Sequence, residues 1–386
     1  MTVLLRSAQR IGRFRLRPVS RRAILLFIAL VVTACGVLHV LFTLYLENER
    51  YEYLLSNAPI PKTPTPLYPS PLRANATLLM LCRNEELDGV LSSVRQVEEK
   101  FNQNYAYPWT FLNDVPFDDN FKTGVLNLLG PAADVSFGLI PPEMWKQPSW
   151  INETRAAAGR DKLVAEDVIY GASVSYRNMC RFNSGFFYRH ELLLPYRYYW
   201  RIEPDVDYFC DLQYDPFAFM EDNNKTYGFT MSLREYELTI ATLWESVREF
   251  MDLYPQFIHP NSAMRFLSWN GGVTYNLCHF WSNFEIADMD FWRGEAYSTF
   301  FDFLESKGGF YYERWGDAPV HSIAVALFAP KESVHFFYDI GYRHADFQHC
   351  PSGNAWSAGR CACDPKDTFD KYSDSCTYNF LRVQSS

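Results

Sequence analysis

Acidic residues are absent from the first 46 positions of this 386-residue chain, and a basic surplus is absent from everything after them. The first segment carries seven arginines (Arg6, Arg10, Arg13, Arg15, Arg17, Arg21 and Arg22), hence +7. The formal net charge of −9 therefore leaves −16 for residues 47–386. A body so acidic argues against nucleic acid as a partner, because phosphate backbones are bound through lysine and arginine. Any diphosphate ligand would also be repelled unless a metal ion or local arginines offset the field. No internal repeat is visible, which argues against a repeat architecture. Cysteine is nearly missing at the start: Cys35 stands alone before residue 47, and the other eight (82, 180, 210, 278, 350, 361, 363 and 376) follow it.

What is present sorts by position. Ala23–Leu46 is a 24-residue apolar run without formal charge, long enough to span a hydrocarbon layer of ~30 Å. Ala34-Cys35-Gly36 keeps a cleavable signal peptide open as a reading, but the run is longer than a signal peptide's apolar region. Arginines before it and Glu47, Glu49 and Glu52 after it keep the N-terminus cytosolic and translocate the body. The chain then divides into a cytosolic basic tail (1–22), a transmembrane signal anchor (23–46), a stem (47–76) and a lumenal domain (77–386). Six of the thirteen residues from Pro59 to Pro71 are proline, so the stem is extended and semi-rigid. Acceptor sequons at Asn75, Asn152 and Asn224 fit a secretory-pathway protein. Eight cysteines beyond the anchor lie in a disulfide-permissive compartment. Four of them crowd into 350–376 and predict a stapled C-terminal loop region, with a pairing that spacing does not reveal.

The lumenal domain reads as one α/β unit. Thr77–Cys82 is a short apolar strand ending at Arg83-Asn84-Glu85, and Leu87, Val90, Leu91, Val94 and Val97 follow at helical spacing. Further strands are expected at Trp109–Leu112, Val135–Ile140, Tyr198–Ile202, Gly228–Met231, Val273–Asn276 and Phe336–Ile340, with a helix around Leu243–Phe250. The organising stretch is Tyr198–Tyr208. Its strand must stop near Glu203, because Pro204 cannot donate to a ladder. Glu203 and Asp205 then sit where an open α/β sheet presents its ligand crevice, well placed to hold a divalent cation, or else form a solvated acidic turn.

Other candidates each carry a plain structural reading beside a functional one. Ser282 and Glu285 are spaced as a capping box at a helix start, while Glu285 is also placed to act on a sugar's anomeric carbon. Asp317 reads as an N-cap with Pro319 in the first turn, or as a holder of an acceptor hydroxyl. His321 reads as a core histidine, His344 as an exposed loop residue after Gly341, and Tyr176 as a core tyrosine. Arg201, inside an apolar strand, needs a partner, either Glu203 or a phosphate.

Longer stretches carry a resemblance: Tyr107–Asp114, Ser175–Arg181, Ser184–Leu192, Trp200–Val206, Thr274–Ala287, Gly308–Ser322 and Asp339–Tyr342. In these the chain resembles the fungal Golgi α-1,2-mannosyltransferase family, type II membrane enzymes that extend mannose chains on glycoproteins and cell-wall mannan. The resemblance spans Thr77 to near the C-terminus. It implies a nucleotide-diphospho-sugar transferase (GT-A-like) fold with a single mixed sheet, GDP-mannose as donor, a mannose-terminated glycan as acceptor and manganese as the metal. It further implies Glu203 and His344 as metal ligands, Glu285 as the nucleophile or charge stabiliser, and Tyr176 near the transferred sugar. Arg83 and Arg201 fall near the donor phosphates. Asn261–Gly272 and the C-terminal cysteine region match no family pattern, which leaves the acceptor open. A membrane-anchored glycoside hydrolase and a mannan-binding lectin are the competing classes.

Overall fold

The computed structural model describes residues 20–56 and 73–385; the tail before residue 20 and the proline-rich stretch lie outside the described residues. Arg21–Ser56 forms one helix of 36 residues, so it continues past Leu46 into the segment expected as stem. Its stretch Ile24–Thr43, 20 residues with a mean hydropathy of 2.7, is long and apolar enough to cross a membrane. Leu25 and Leu30 on it are 66% and 70% exposed, which suits hydrocarbon better than water.

The second unit is an α/β domain with twelve short strands among the described residues. In chain order they are β1 (Ala76–Leu81), β2 (Trp109–Asn113), β3 (Val135–Leu139), β4 (Tyr198–Arg201), β5 (Val206–Tyr208) and β6 (Tyr227–Phe229). Then follow β7 (Ser232–Arg234), β8 (Cys278–Phe280), β9 (Glu285–Asp288), β10 (Val334–Phe336), β11 (Tyr342–His344) and β12 (Phe347–His349). Seven of them make the central sheet in the order β10-β6-β9-β4-β1-β2-β3. All neighbours in it are parallel except β9, which runs antiparallel to β4 and β6. A small sheet, β12-β11-β5, and the pair β7-β8 complete the set.

The sheet is apolar on both faces because helices cover both, which is why β1 reads Ala-Thr-Leu-Leu-Met-Leu without alternation. Along β4, Tyr198 and Trp200 pack into one core and Tyr199 into the other, following the two-residue period of a strand. Fully buried aromatics such as Trp200, Trp292 and Trp315 each contribute on the order of 2–3 kcal/mol. The helix Asp317–Phe328 is buried along nearly its whole length, and Pro319 is tolerated because it lies in the first turn.

Several expected elements differ. Val273–Asn276 is a loop, not a strand: Gly271 and Gly272 before it and Leu277 after it have positive φ, and the strand is β8 instead. Its β-propensity is overridden by side-chain bonds from Asn270 to Thr274. The strand expected at Phe336–Ile340 ends at Phe336, and the one at Gly228–Met231 ends at Phe229 in β6, with β7 starting beyond it at Ser232. Glu285 opens β9 rather than a helix, so no capping box forms with Ser282. Gly316, not Asp317, is the N-cap of the helix that follows it.

Three disulfides join Cys210 to Cys361, Cys278 to Cys376 and Cys350 to Cys363; Cys82 and Cys180 are buried thiols. The stapled region is also held by a buried pair. His349 Nδ1 lies 2.7 Å from Asp370 Oδ2, and its Nε2 donates to the Tyr338 carbonyl at 2.8 Å. Burial pulls this imidazole down, but Asp370 and the Tyr338 carbonyl outweigh it and hold His349 above the ordinary histidine value. A histidine raised on folding adds stability below its unfolded value, about 6.5, and that part is lost as pH rises through the folded value. Thermal unfolding of the full chain should therefore show a lower midpoint at about pH 9 than at about pH 6. His349→Phe should cost on the order of 3 kcal/mol at the lower pH and shrink the difference. A pH dependence unchanged in that variant would contradict the assignment.

Candidate active site

Strand direction gathers the site. β1 and β4 run parallel, so their carboxyl ends share an edge, and antiparallel β9 begins at that same edge. Arg83, just past β1, Glu203, just past β4, and Glu285, first in β9, are thereby brought to one side of the sheet. In the ladder Arg201 stands opposite Glu285. After Pro204 the chain turns through Asp205 in the left-handed region, φ 58°. The turn docks on the helix Leu87–Lys100, with Asp205 N–H donating to the Gly89 carbonyl at 3.1 Å and Val206 N–H to Ser93 Oγ at 3.0 Å. A Cβ on Gly89 would lie 3.1 Å from the Asp205 nitrogen, so glycine permits this approach.

Arg201 is the hub. Its Nε donates to Glu203 Oε1 at 2.6 Å and its Nη1 to Asp317 Oδ2 at 2.6 Å. Ser282 Oγ completes the group by donating to Asp317 Oδ2 at 2.7 Å. Arg201 and Asp317 are buried, whereas the Glu203 side chain keeps 22% of its surface. Burial alone would raise the Asp317 carboxyl, but Arg201, His321 and Ser282 hold it below the usual range. Of the two partners expected for Arg201 the structure shows Glu203, and it adds Asp317. The Asp317 carboxylate thus serves an ion pair rather than its helix terminus.

Glu285 is 1% exposed. Its Oε1 accepts from Tyr199 Oη at 2.7 Å and its Oε2 from Tyr227 Oη at 2.9 Å, with His321 Nδ1 3.1 Å from Oε2. His321 is the core histidine the sequence suggested, and its partner is this carboxylate. Asp317 and His321 are one helical turn apart, so both face the sheet, the first on Arg201 and the second on Glu285.

His344 reaches the edge through the small sheet, where it pairs with Val206, three residues beyond Glu203. Burial lowers its imidazole, while Glu203 and Asp205 raise it and Arg201 lowers it further, so the acidic turn lies within its field. Its Nδ1 is buried without a hydrogen-bond partner. A buried, unpartnered imidazole nitrogen beside a part-exposed carboxylate is the oxygen-and-nitrogen donor pair that manganese accepts. The residues fit the metal. Among the described residues no group of three or more histidines, cysteines, aspartates or glutamates is placed to hold one, so further ligands would have to come from phosphate and water.

Arg83 is exposed, and its Nη2 donates to Ser175 Oγ at 2.8 Å, next to Tyr176. Tyr176 is half-buried; Tyr170 stacks on it at 4.5 Å and the Arg314 guanidinium lies 5.1 Å from its ring centre. Burial keeps its phenol well above the ordinary tyrosine value, hence protonated. Six of the seven candidates lie on this edge or one side chain away from it, and Tyr176 follows Ser175, the partner of Arg83. Sequence reasoning missed Tyr199 and Tyr227 as holders of Glu285 and Ser282 as a partner of Asp317. The i,i+4 spacing of Asp317 and His321 was the available signal, but their strand partners depend on a register that local sequence does not state.

This mixed sheet, with a carboxylate turn at the carboxyl end of a central strand, is shared with GT-A-like glycosyltransferases of known structure. The chain belongs to the glycolipid 2-alpha-mannosyltransferase family, whose model matches residues 48–385. It is 44% identical to the alpha-1,2 mannosyltransferase KTR1 of Saccharomyces cerevisiae over 382 residues, 95% of each chain. It is 49% identical over 308 residues to the O-glycoside alpha-1,2-mannosyltransferase omh1 of Schizosaccharomyces pombe, 80% of this chain and 78% of that one. The S. cerevisiae mannosyltransferase Ktr4p, solved in complex with GDP, matches with a TM-score of 0.79 at 40% identity, covering 88% of this chain and 92% of that one. Core-mannan synthase A of Aspergillus fumigatus in its Mn/GDP form matches with a TM-score of 0.78 at 38% identity, over 86% and 93% of the two chains.

The buried and the exposed ion pairs of this domain should respond differently to removal. Asp317→Asn leaves Arg201 short of a buried partner and should cost on the order of 3–5 kcal/mol in denaturant unfolding. Asp207→Asn breaks the exposed pair with Arg343 and should cost about 1 kcal/mol or less. Equal costs would show that Arg201 is not a buried hub.

Proposed function

We propose that this protein transfers mannose from GDP-mannose to the 2-hydroxyl of a mannose-terminated glycan, on a protein N- or O-glycan or on cell-wall mannoprotein, keeping the α configuration. The observation that carries it is the acidic turn Glu203–Asp205 at the sheet edge, with His344 Nδ1 buried and unpartnered beside it. The relatives above are transferases by name, which leaves the hydrolase and lectin readings without support. The N-terminal helix would anchor the domain as a type II protein of the Golgi membrane, with its catalytic body in the lumen.

Glu203 and His344 would hold Mn²⁺, and the ion when bound supplies positive charge that offsets the diphosphate and the negative charge developing on departing GDP. Arg83, exposed at the end of β1, is the freest cation on this edge to meet a phosphate. Arg201 shapes the turn by holding Glu203 in place, and two of its nitrogens already face carboxylates. Asp317, fixed by Arg201 and Ser282, stays ionised, and the Tyr176 phenol stays protonated beside the sugar. Glu285 acts through its charge rather than by attack. Almost none of its surface is open and tyrosine hydroxyls hold both of its oxygens in place, so the carboxylate is not free to approach an anomeric carbon. A fixed carboxylate in a water-poor setting still stabilises the positive charge of an oxocarbenium-like state. This favours front-face transfer over a covalent adduct.

Full-length protein given GDP-mannose, Mn²⁺ and a panel of mannosides should release GDP and form an α-1,2-linked product. Glu285→Gln should lower kcat on the order of 100- to 1,000-fold and leave GDP binding intact. Turnover close to wild type in that variant would remove Glu285 from the mechanism, and no transfer by wild type to any mannoside would refute the function.

A further inference from the structure

The hydrogens around Glu285 can be assigned from their partners. The Asn183 carbonyl only accepts, so His321 Nε2, 2.9 Å away, carries a hydrogen. Tyr199 Oη accepts from the Trp292 indole N–H at 3.2 Å and gives its own hydrogen to Glu285 Oε1. Tyr227 Oη gives its hydrogen to Oε2. That leaves His321 Nδ1 facing the same Oε2 at 3.1 Å. A neutral imidazole already protonated on Nε2 presents only a lone pair there, and so does a carboxylate oxygen. Two lone pairs pressed together out of water repel, so one further proton lies between them.

The surroundings decide which side holds it. Two phenol hydroxyls donate to the carboxylate and Arg201 faces it across the ladder, and all three favour the anion. On the other side the Trp292 ring stacks on the imidazole with centroids 4.3 Å apart and 23° between planes, an arrangement that favours a cation. Asp317, an anion held by Arg201, lies one turn back on the same helix. Tyr297, from the helix Glu295–Lys307, has its ring 6.0 Å from that of His321 and stays protonated through burial. Phe187 supplies the remaining apolar wall.

We propose that His321 is a positioning residue that stands as an imidazolium and keeps Glu285 ionised and oriented in its buried place. The inference rests on the transferase reading for its purpose, though not for its chemistry. Charge then alternates around four buried groups: Asp317 negative, Arg201 positive, Glu285 negative, His321 positive. The helix supplies one pair at i,i+4 and the β4–β9 ladder supplies the other, so the square is set by secondary structure alone.

The test is nitrogen-15 NMR of the histidine-labelled full chain in detergent micelles at about pH 8, above the ordinary histidine value of about 6.5. Two imidazoles should carry hydrogens on both nitrogens: one lost in His349→Phe, the other surviving there and lost in His321→Gln. If His321→Gln fails to fold, the His349→Phe spectrum decides, and the absence of any doubly protonated ring in it overturns the proposal. In turnover, His321→Gln should lower kcat on the order of 100-fold with the donor KM unchanged, and should remove the fall in rate at alkaline pH. An unchanged kcat with the alkaline limb intact overturns it as well. The NMR measurement needs no substrate, so its failure is separate from a failure of the transferase reading, which absence of transfer by wild type would show.

Discussion

A guanidinium almost wholly out of water holds this site together. Desolvating Arg201 costs several kcal/mol, and only the two carboxylates 2.6 Å from it, with Ser282 behind them, make that position tolerable. Those two carboxylates are therefore part of the fold as much as of the chemistry. They also leave the corner acidic. Glu203, Asp317 and Glu285 gather around one arginine, with Asp205 in the adjoining turn, so a diphosphate approaching this edge meets an unfavourable field unless another cation joins it.

The scaffold fixes this corner with regular elements rather than loops. Parallel β1 and β4 set the edge, β9 returns antiparallel to put Glu285 opposite Arg201, and one helix face delivers Asp317 and His321 together. The His344 strand is tied down from outside. Cys210, two residues beyond β5, is bridged to Cys361, and Cys350, just after β12, is bridged to Cys363. The small sheet carrying His344 lies between these staples. An oxidising compartment thus bears on the geometry of the proposed metal ligand, not only on stability.

Much of this was legible in the sequence. The strand Tyr198–Arg201 and its end before Pro204 follow from proline's missing N–H, and the motif resemblance led to the fold and the family. The four cysteines crowded into 350–376 announced a stapled C-terminal region. What local sequence could not state was register. Ser282 and Glu285 have capping-box spacing, yet that spacing is equally met at the entry to a strand, and tertiary pairing with β4 decided the matter. Asp317 has the look of an N-cap, but a buried arginine competes for its carboxylate and wins because leaving that charge alone would cost more than leaving one helix amide uncapped. Val273–Tyr275 has strand-forming residues, overridden by flanking positive-φ positions and by Asn270. The alternating square of charges needed all three facts at once.

The central claim is that this corner repels a nucleotide diphosphate until a divalent ion occupies Glu203 and His344. Calorimetric titration of the full chain with GDP, with Mn²⁺ present and after divalent ions are stripped, tests it most directly. GDP should bind at least on the order of 10-fold more tightly with Mn²⁺, and that gain should vanish in Glu203→Gln and in His344→Ala. GDP affinity that is the same with and without the ion would contradict the account.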